Sequence, residues 1–361
     1  MKRIIGKAFT GMFLVLMSLT AKASHVSGGE VTYKSLGGMQ FKVTLVLYWD
    51  CSAFDPGVSQ SMSTTNACGF PDQTFTVNLD TAYEISQLCP SSMASSTCNG
   101  GTLPGNKKNV YSAIITLSGA CTQWTFSHTS CCRNNSTNVP LNPSYTFYAT
   151  LNNVAAPLNN SPYFTSQPLP YLCVGQQVCY SPGTVEQDGN TLSFALIDAM
   201  NTNSTTPVTY AGGYTGAVPM PGITINPTNG LMVFTPTMTG NFVVVFQVTE
   251  TDAFGNVVGT VMRDIEMVVV NCSNSVVPCN SGAITTFIGT GVSSPAPNTI
   301  QVCENVPFSF TFSFTDPDPS DILSITSNIA SVMPGAIITT SGTNPISVSV
   351  SWIAPVGTAN T

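Results

Sequence analysis

The sequence predicts an all-β protein, and three observations lead to that prediction. Charged residues make up only 7% of the 361 residues, whereas the exposed faces of helices need Glu, Lys and Arg. Apolar and polar residues alternate in several short segments, as at Phe41, Val43 and Leu45, with the period of a half-buried strand. No segment has a sustained helical period of apolar residues, so long helices are not expected.

The second half of the chain contains two similar stretches. One begins at Cys173 and reads CVGQQVCYSPGTVEQDGNTLSFAL; the other begins at Cys303 and reads CENVPFSFTFSFTDPDPSDILSIT. Repeats of this kind indicate tandem β-modules, and the short strands and frequent turns of the first copy are typical of an immunoglobulin-like (Ig-like) sandwich. The second copy reaches Thr361 before the apolar run that ends the first copy. We therefore expect an incomplete last module and a longer full-length protein.

These patterns predict a disulfide-rich N-terminal β-sandwich domain followed by tandem Ig-like β-sandwich modules, the last one incomplete. The expected segments are a signal peptide at 1–23, the cysteine-rich N-terminal domain at 24–165, a first Ig-like module at 166–272, a linker at 273–298 and a truncated second module at 299–361.

The first 23 residues have the composition of a secretory signal peptide. A basic start is followed by an apolar core at residues 12–17 and by the small residues of Ala21-Lys22-Ala23. Once the signal is removed, six basic residues face seventeen acidic ones, which gives a net charge of −11. Such a chain lacks the Lys and Arg that bind nucleic-acid phosphates, so a nucleic-acid partner is excluded. No later apolar run is long enough to predict a transmembrane segment.

Twelve cysteines behind a secretory signal predict disulfides rather than metal thiolates. Cys173 and Cys272 bracket the first repeat, so one bridge is expected to tie its first strand to its last. Cys303 corresponds to Cys173 in the second repeat, and its partner is expected beyond Thr361. The disulfide candidates are Cys51, Cys68, Cys89, Cys98, Cys121, Cys131, Cys132, Cys173, Cys179 and Cys272, with the other pairings left open.

Acidic turns are the candidate metal sites. Asp316, Asp318 and Asp321 lie within one turn that resembles the Asp-rich turn of cadherin-like and PKD-like modules. This resemblance implies hard oxygen ligands for Ca²⁺, the one cofactor that the sequence suggests. The matching place and a later turn of the first repeat offer a second set with fewer charges: Glu186, Asp188, Asn190 and Asp252. The alternative is a plain Asx turn, in which Asp or Asn accepts hydrogen bonds from its own backbone.

No catalytic motif is recognisable, and the protein is not expected to be an enzyme. The remaining candidates for chemistry or sugar stacking are His25, His128, Trp49, Trp124 and Trp352. His128 precedes the adjacent Cys131 and Cys132, but adjacent cysteines suit two separate bridges better than a zinc site or a Cys–His nucleophile. The tryptophans lie in apolar strands, where a core role is expected.

Four motifs resemble one known family. They are SHVSGGEVTY (24–33), LYWDC (47–51), CTQWTFSHTSCCRN (121–134) and NNSPYFTSQPLPYLCVGQQVCY (159–180). The chain is similar in these motifs to large secreted Bacteroidetes surface proteins of the gliding-motility-associated type, which carry PKD/cadherin-like repeats. The resemblance implies export by the type IX secretion machinery, which uses a C-terminal sorting domain that is absent from these 361 residues.

The expected function is therefore that of a secreted structural and adhesive protein at the outer surface of the cell. Its non-catalytic modules would present a binding surface to an extracellular ligand, either protein or glycan, with a link to gliding motility. The alternative is a carbohydrate-binding or accessory region of a larger secreted enzyme. Further repeats and a sorting domain downstream would favour the first interpretation, and a hydrolase domain would favour the second.

Overall fold

The computed structural model describes residues 26–53, 55–168, 171–275, 277, 284–290, 292–293 and 300–357. The fold is all-β, as the composition predicts. The expected signal peptide lies outside the described residues. Within the described part of the chain, no helix is long and apolar enough to cross a membrane.

The strands fall into three groups along the chain. The N-terminal strands are β1 (Val26–Gly37), β2 (Gln40–Asp50), β3 (Ser59–Asn66), β4 (Gln73–Glu84), β5 (Asn106–Thr116), β6 (Trp124–Ser130), β7 (Tyr145–Leu151) and β8 (Tyr163–Phe164). The first repeat contributes β9 (Tyr171–Cys173), β10 (Val178–Tyr180), β11 (Thr184–Val185), β12 (Thr191–Leu196), β13 (Met232–Phe234), β14 (Gly240–Thr251) and β15 (Val257–Val270). The remaining strands are β16 (Ile284–Gly289), β17 (Val292–Ser293), β18 (Gln301–Val302), β19 (Pro307–Phe314), β20 (Ile337–Ser341) and β21 (Ile346–Ile353). Short helical turns occur at Pro90–Ser95, Thr97–Asn99 and Ile329–Val332.

One sheet of eleven strands joins the N-terminal region to the first repeat. Its order is β1-β2-β5-β4-β3-β6-β7-β15-β14-β12, with β9 beside β15. β1 also pairs with β15, which closes the path from β1 to β15 into a ring. One edge of β15 is covered by β14, and the other edge is shared by β7, β1 and β9 in turn.

The sheet crosses the boundary that was expected between residues 165 and 166. The reason is the apolar character of β14 and β15, which are buried on both faces and need cover on each. One core combines side chains from both expected units, among them Phe41, Phe126 and Phe147 with Phe242 and Phe246. On the opposite face of the β14–β15 hairpin, Val243, Val245 and Met262 belong to a second core. The described parts of 24–165 and 166–272 therefore fold around a common core.

The second repeat has its own sheet, in the order β16-β19-β21-β20. Its core contains Phe308, Phe310, Val348 and Val350. The linker prediction for 273–298 is wrong at 284–289, because these residues form β16 and pair with β19. The β-branched and aromatic residues of ITTFIG favour a strand at this segment.

A buried ion pair joins β1 to β15. The guanidinium of Arg263 is fully buried and donates to the carboxylate of Glu30, which is also buried. It also donates to Tyr180 Oη (2.9 Å), Tyr48 Oη (3.1 Å) and the Ser166 carbonyl (2.8 Å). These acceptors come from four separate segments, so one side chain fixes their relative positions.

Two glycines allow β1 to approach this point closely. A Cβ atom on Gly28 would overlap the backbone carbonyl of Asp264, and one on Gly29 would overlap the ring of Phe147. Gly28 also has a φ of 149°, which residues with a side chain rarely adopt. The Gly-Gly-Glu sequence therefore brings Glu30 close enough to meet Arg263.

The residues that follow Arg263 are held by the loop after β6. Arg133 forms a buried, bidentate ion pair with Asp264, with N–O distances of 3.0 and 2.6 Å. The neighbouring Asn134 donates to Glu266 at 2.6 Å. Two motifs behind the family resemblance thus meet on β15, since GGEVTY supplies Glu30 and CCRN supplies Arg133 and Asn134.

Replacing Arg263 by Met should lower the free energy of unfolding by about 3–5 kcal/mol, because Glu30 would then be a buried charge without its partner. The double variant E30L/R263M should recover part of that loss, since it removes the uncompensated charge. Urea denaturation of the mature protein would measure both effects.

The matched control is Lys42→Met, which breaks the exposed Lys42–Asp80 pair (3.6 Å). That change should cost less than about 1 kcal/mol. Equal losses in the single variant R263M and in the double variant would contradict the proposed role of the buried pair.

Candidate functional site

The first acidic cluster consists of Glu186, Asp188 and Glu250, with carboxylate oxygens within 4.8 Å of one another. Glu186 and Asp188 lie in the loop before β12, and Glu250 lies near the end of β14. Because Asn190 donates to Glu250, the loop is fixed to the end of β14. The structure therefore brings Glu186, Asp188 and Asn190 together, as the sequence predicts, and adds Glu250.

Nitrogen donors surround this cluster. Both carboxylate oxygens of Glu250 accept hydrogen bonds, from the side-chain amides of Asn159 (2.8 Å) and Asn190 (2.8 Å). Glu186 accepts three backbone N–H groups, those of Asp188, Gly189 and Asn190, at 2.6–2.9 Å. The loop therefore uses Glu186 to satisfy its own backbone donors.

Burial and the nearby Glu186 favour the protonated form of Glu250. Glu250 has no exposed surface. Burial is the largest influence and raises its pKa from 4.5 to about 7, although the amide donors of Asn159 and Asn190 oppose that rise. A hydrogen bond with Glu186 and the negative charge of Glu186 act in the same direction as burial. At neutral pH the carboxyl group of Glu250 is therefore partly protonated.

Asp252 does not join this cluster. Its carboxylate accepts from the backbone of Phe254 (2.9 Å) and from both the backbone and the side chain of Asn256 (2.8 and 2.9 Å). The bond from the Asn256 side chain lowers the pKa of Asp252. This is the Asx turn that was the alternative to a metal ligand, and it closes the connection between β14 and β15.

The second acidic cluster consists of Asp316, Asp318 and Asp321, and its carboxylates also lie within 4.8 Å of one another. They occupy the loop that follows β19, and Asp316 is buried. Asn344 fixes the loop, since its amide accepts from the Asp316 backbone (2.9 Å) and donates to the Asp318 carbonyl (2.9 Å). The structure thus brings together the three aspartates that the sequence singled out.

Residues that follow the first repeat reach this second cluster. The backbone N–H of Ser275 donates to Asp318 (2.9 Å), and the side chain of Asn274 donates to Asp321 (2.7 Å). These hydrogen bonds engage one oxygen of each of the two carboxylates. Hard carboxylate oxygens at this spacing fit Ca²⁺, which takes oxygen ligands from flexible acidic loops. Calcium binding stays a prediction at both clusters.

The cysteines form four disulfides among the described residues: Cys51–Cys98, Cys68–Cys121, Cys131–Cys132 and Cys173–Cys272. The last of these joins β9 to the end of β15, as expected from the positions of its cysteines at the two ends of the first repeat. Cys179 is also disulfide-bonded.

Three expectations about cysteines need correction or remain open. Cys131 and Cys132 bond to each other, so the expectation of two separate bridges is wrong. Cys89, a disulfide candidate, is a free and exposed thiol, because the other cysteines of its region pair among themselves. Cys303 is also free and exposed, and nothing in the structure tests a partner beyond Thr361.

The described histidine and tryptophan candidates all contact other residues of the fold. His128 is buried; its Nδ1 lies 2.9 Å from the Ser61 carbonyl, and burial lowers its pKa. Trp49 and Trp124 are buried in the core, so their rings are not sugar-stacking platforms. Trp352 lies beside Phe308 and donates to the Pro334 carbonyl (2.9 Å). His25 lies outside the described residues.

The sequence reasoning missed Glu250 and the charged residues of β15. A signal existed for Glu250, Arg263, Asp264 and Glu266, because each is an acidic or basic residue in the apolar strands β14 and β15, which are too long and hydrophobic to face water. Such a residue must find a buried partner. The missed residues are Glu30, Arg133, Glu250, Arg263, Asp264 and Glu266.

No family model matches this chain, and no curated protein matches it. The family resemblance and the functions that it implies therefore stay predictions.

Glu250 should make stability depend on pH. Its folded-state pKa of about 7 exceeds its ordinary value of 4.5, so the folded protein binds this proton more tightly than the unfolded chain does. The stabilising effect is complete below pH 4.5 and is lost as the pH rises through 7. Between pH 4.5 and a pH well above 7, the free energy of unfolding of the wild type should fall by about 2–4 kcal/mol relative to that of the variant E250Q. Urea denaturation at a series of pH values would measure this difference. Parallel pH profiles for the two proteins would contradict this assignment.

Millimolar Ca²⁺ should bind the second acidic cluster with a dissociation constant of about 0.1–1 mM, the range of extracellular modules. Isothermal titration calorimetry would measure the binding, and the variant Asp318→Asn should abolish it. The matched control is Asp252→Asn, which alters an aspartate in an Asx turn and should leave binding unchanged. Absence of heat with millimolar Ca²⁺ would refute the calcium prediction.

Proposed function

We propose that this protein is a secreted, non-catalytic structural and adhesive protein of the outer cell surface. The observation that carries the proposal is a set of three disulfides that join distant segments of one sheet. They are Cys51–Cys98, Cys68–Cys121 and Cys173–Cys272, with sequence separations of 47, 53 and 99 residues. Disulfides of this kind persist in oxidising compartments outside the cytoplasm.

These three disulfides suit a protein that must remain folded outside the cell. A disulfide that closes a long loop reduces the freedom of the unfolded chain and typically adds about 2–4 kcal/mol to stability. Here the disulfides add to a sheet in which the N-terminal region and the first repeat already share a core. The combination favours long-term stability over regulated turnover.

The outer faces of the second repeat have the chemistry of a neutral contact surface. In β19 and β21, Phe and Val face the core while Ser and Thr face outward. The outward hydroxyls pair across the strands, as between Thr311 and Ser349 (3.0 Å) and between Ser313 and Ser347 (2.9 Å). This surface supports the adhesive part of the proposal.

The gliding-motility and type IX secretion parts of the proposal rest on the family resemblance alone. The motifs concerned supply Glu30, Arg133 and Asn134, which all contact β15. They therefore specify how this fold is assembled, and the proposed export route follows from the family rather than from the site.

Surface proteolysis of intact host cells tests the proposal. An antibody raised against residues 26–272 should label intact cells, and proteinase K should remove that label. Proteinase K is preferable to trypsin because the chain after residue 23 has only six basic residues. A periplasmic marker protein should survive the same treatment. Label that appears only after the outer membrane is permeabilised would overturn the surface location.

A further inference from the structure

A polar cleft of about 360 Å³ lies on the outer face of the eleven-stranded sheet, over β6, β7, β14 and β15. Its floor includes Thr125, Thr150 and Thr260, which occupy directly opposite positions on three neighbouring strands. Opposite residues point to the same face, so these side chains form a row across the strands. Cleft volumes of roughly 300–1,000 Å³ are typical of small-ligand sites.

The row places hydroxyl groups at regular intervals. Neighbouring strands are about 4.8 Å apart, which sets the spacing along the row. The Oγ1 atoms of Thr150 and Thr260 lie 2.7 Å apart and share one hydrogen bond. Since each hydroxyl has one donor and two acceptor positions, the pair keeps one donor and several acceptors for a ligand.

Amide and phenol groups form the walls of the cleft. Gln247 accepts from the hydroxyl of Tyr148 (3.3 Å) and donates to Thr249 (3.2 Å), which holds its amide in place. Ser204 and Thr205 line the cleft from a loop whose turn is fixed by Asn203, which accepts from the backbone and the hydroxyl of Thr205 (both 2.9 Å). The walls are therefore ordered before any ligand binds.

No charged side chain lines the cleft among the described residues. An ionic ligand would therefore lose hydration without gaining a partner of opposite charge. An apolar ligand would cover the threonine hydroxyls and the Gln247 amide without satisfying their hydrogen bonds. A neutral ligand that carries many hydroxyls meets both requirements, because each of its groups can donate to and accept from the lining.

From this geometry we infer that the cleft binds a neutral oligosaccharide, with the Thr150–Thr260 hydroxyl pair and Gln247 as its main hydrogen-bonding groups. The sugar rings lie across the strands, so that consecutive rings meet consecutive threonines of the row. The inference rests on the proposed adhesive function for its biological setting and names the chemical class of the adhesive ligand.

The test is calorimetry on the chain from residue 24 to residue 361 with five defined probes. Three are neutral hexasaccharides of β-linked glucose, mannose and N-acetylglucosamine. The other two are the acidic hexagalacturonate and an uncharged Gly/Ser/Thr hexapeptide. At least one neutral hexasaccharide should bind more tightly than either comparison probe. The variant T150V/T260V, which keeps the side-chain shape and removes both hydroxyls, should weaken this binding by about tenfold or more.

The matched control is T311V/S349A, which removes a hydroxyl pair of the same kind (3.0 Å) from the second repeat, outside the cleft. It should bind as the wild type does. Should T150V/T260V fail to fold by circular dichroism, Gln247→Leu removes the other main hydrogen-bonding group from a half-buried strand position and should weaken binding similarly.

The inference is overturned if none of the three neutral probes binds, if the cleft variants bind like the wild type, or if a comparison probe binds as tightly. These outcomes are separate from the surface proteolysis result. Sugar binding without surface exposure would support the sugar site and refute the surface location. Surface exposure without sugar binding would refute the sugar site and leave the surface location intact.

Discussion

The ion pair between Arg263 and Glu30 is the interaction on which the rest of the structure depends. It lies where the partner of β15, on the edge opposite β14, changes from β7 to β1. Without a partner for Arg263, a charge would remain in a dry core, which is strongly destabilising. The pair therefore requires β1 to lie against β15, and Gly28 permits that approach because it has no Cβ to meet the Asp264 carbonyl. A strand from the first repeat thus completes the N-terminal region.

The same hairpin that carries Arg263 positions both candidate sites of the first repeat. Glu250 lies near the end of β14, on the side that meets Asn159, while Thr260 and Gln247 point into the polar cleft. The disulfide between Cys173 and Cys272 fixes β9 beside the far end of β15. Any change that loosens β15 should therefore disturb the cleft and the first acidic cluster together, although they use different side chains.

The two acidic clusters look alike in sequence but differ in chemistry. In the first, amide and backbone donors already occupy the carboxylates, and burial favours a protonated Glu250. In the second, three aspartates lie in the loop after β19 of the second repeat, where Asp316 accepts from the Asp318 backbone and where Asn274 and Ser275, which follow the first repeat, donate to Asp321 and Asp318. A cation at the second cluster would therefore also stiffen the connection between the two repeats.

The sequence by itself determined the all-β class, the Cys173–Cys272 bond and the grouping of Asp316, Asp318 and Asp321. These follow from strand alternation and composition, from the positions of two cysteines at the ends of a repeat, and from aspartates close together in the chain. Only the tertiary structure decided that residues 24–165 and 166–272 share a sheet, that Glu250 joins Glu186, and that Thr150 meets Thr260. These facts depend on which strand edges pair across more than sixty residues. Strand alternation specifies which side chains face inward, but it does not specify the neighbouring strand.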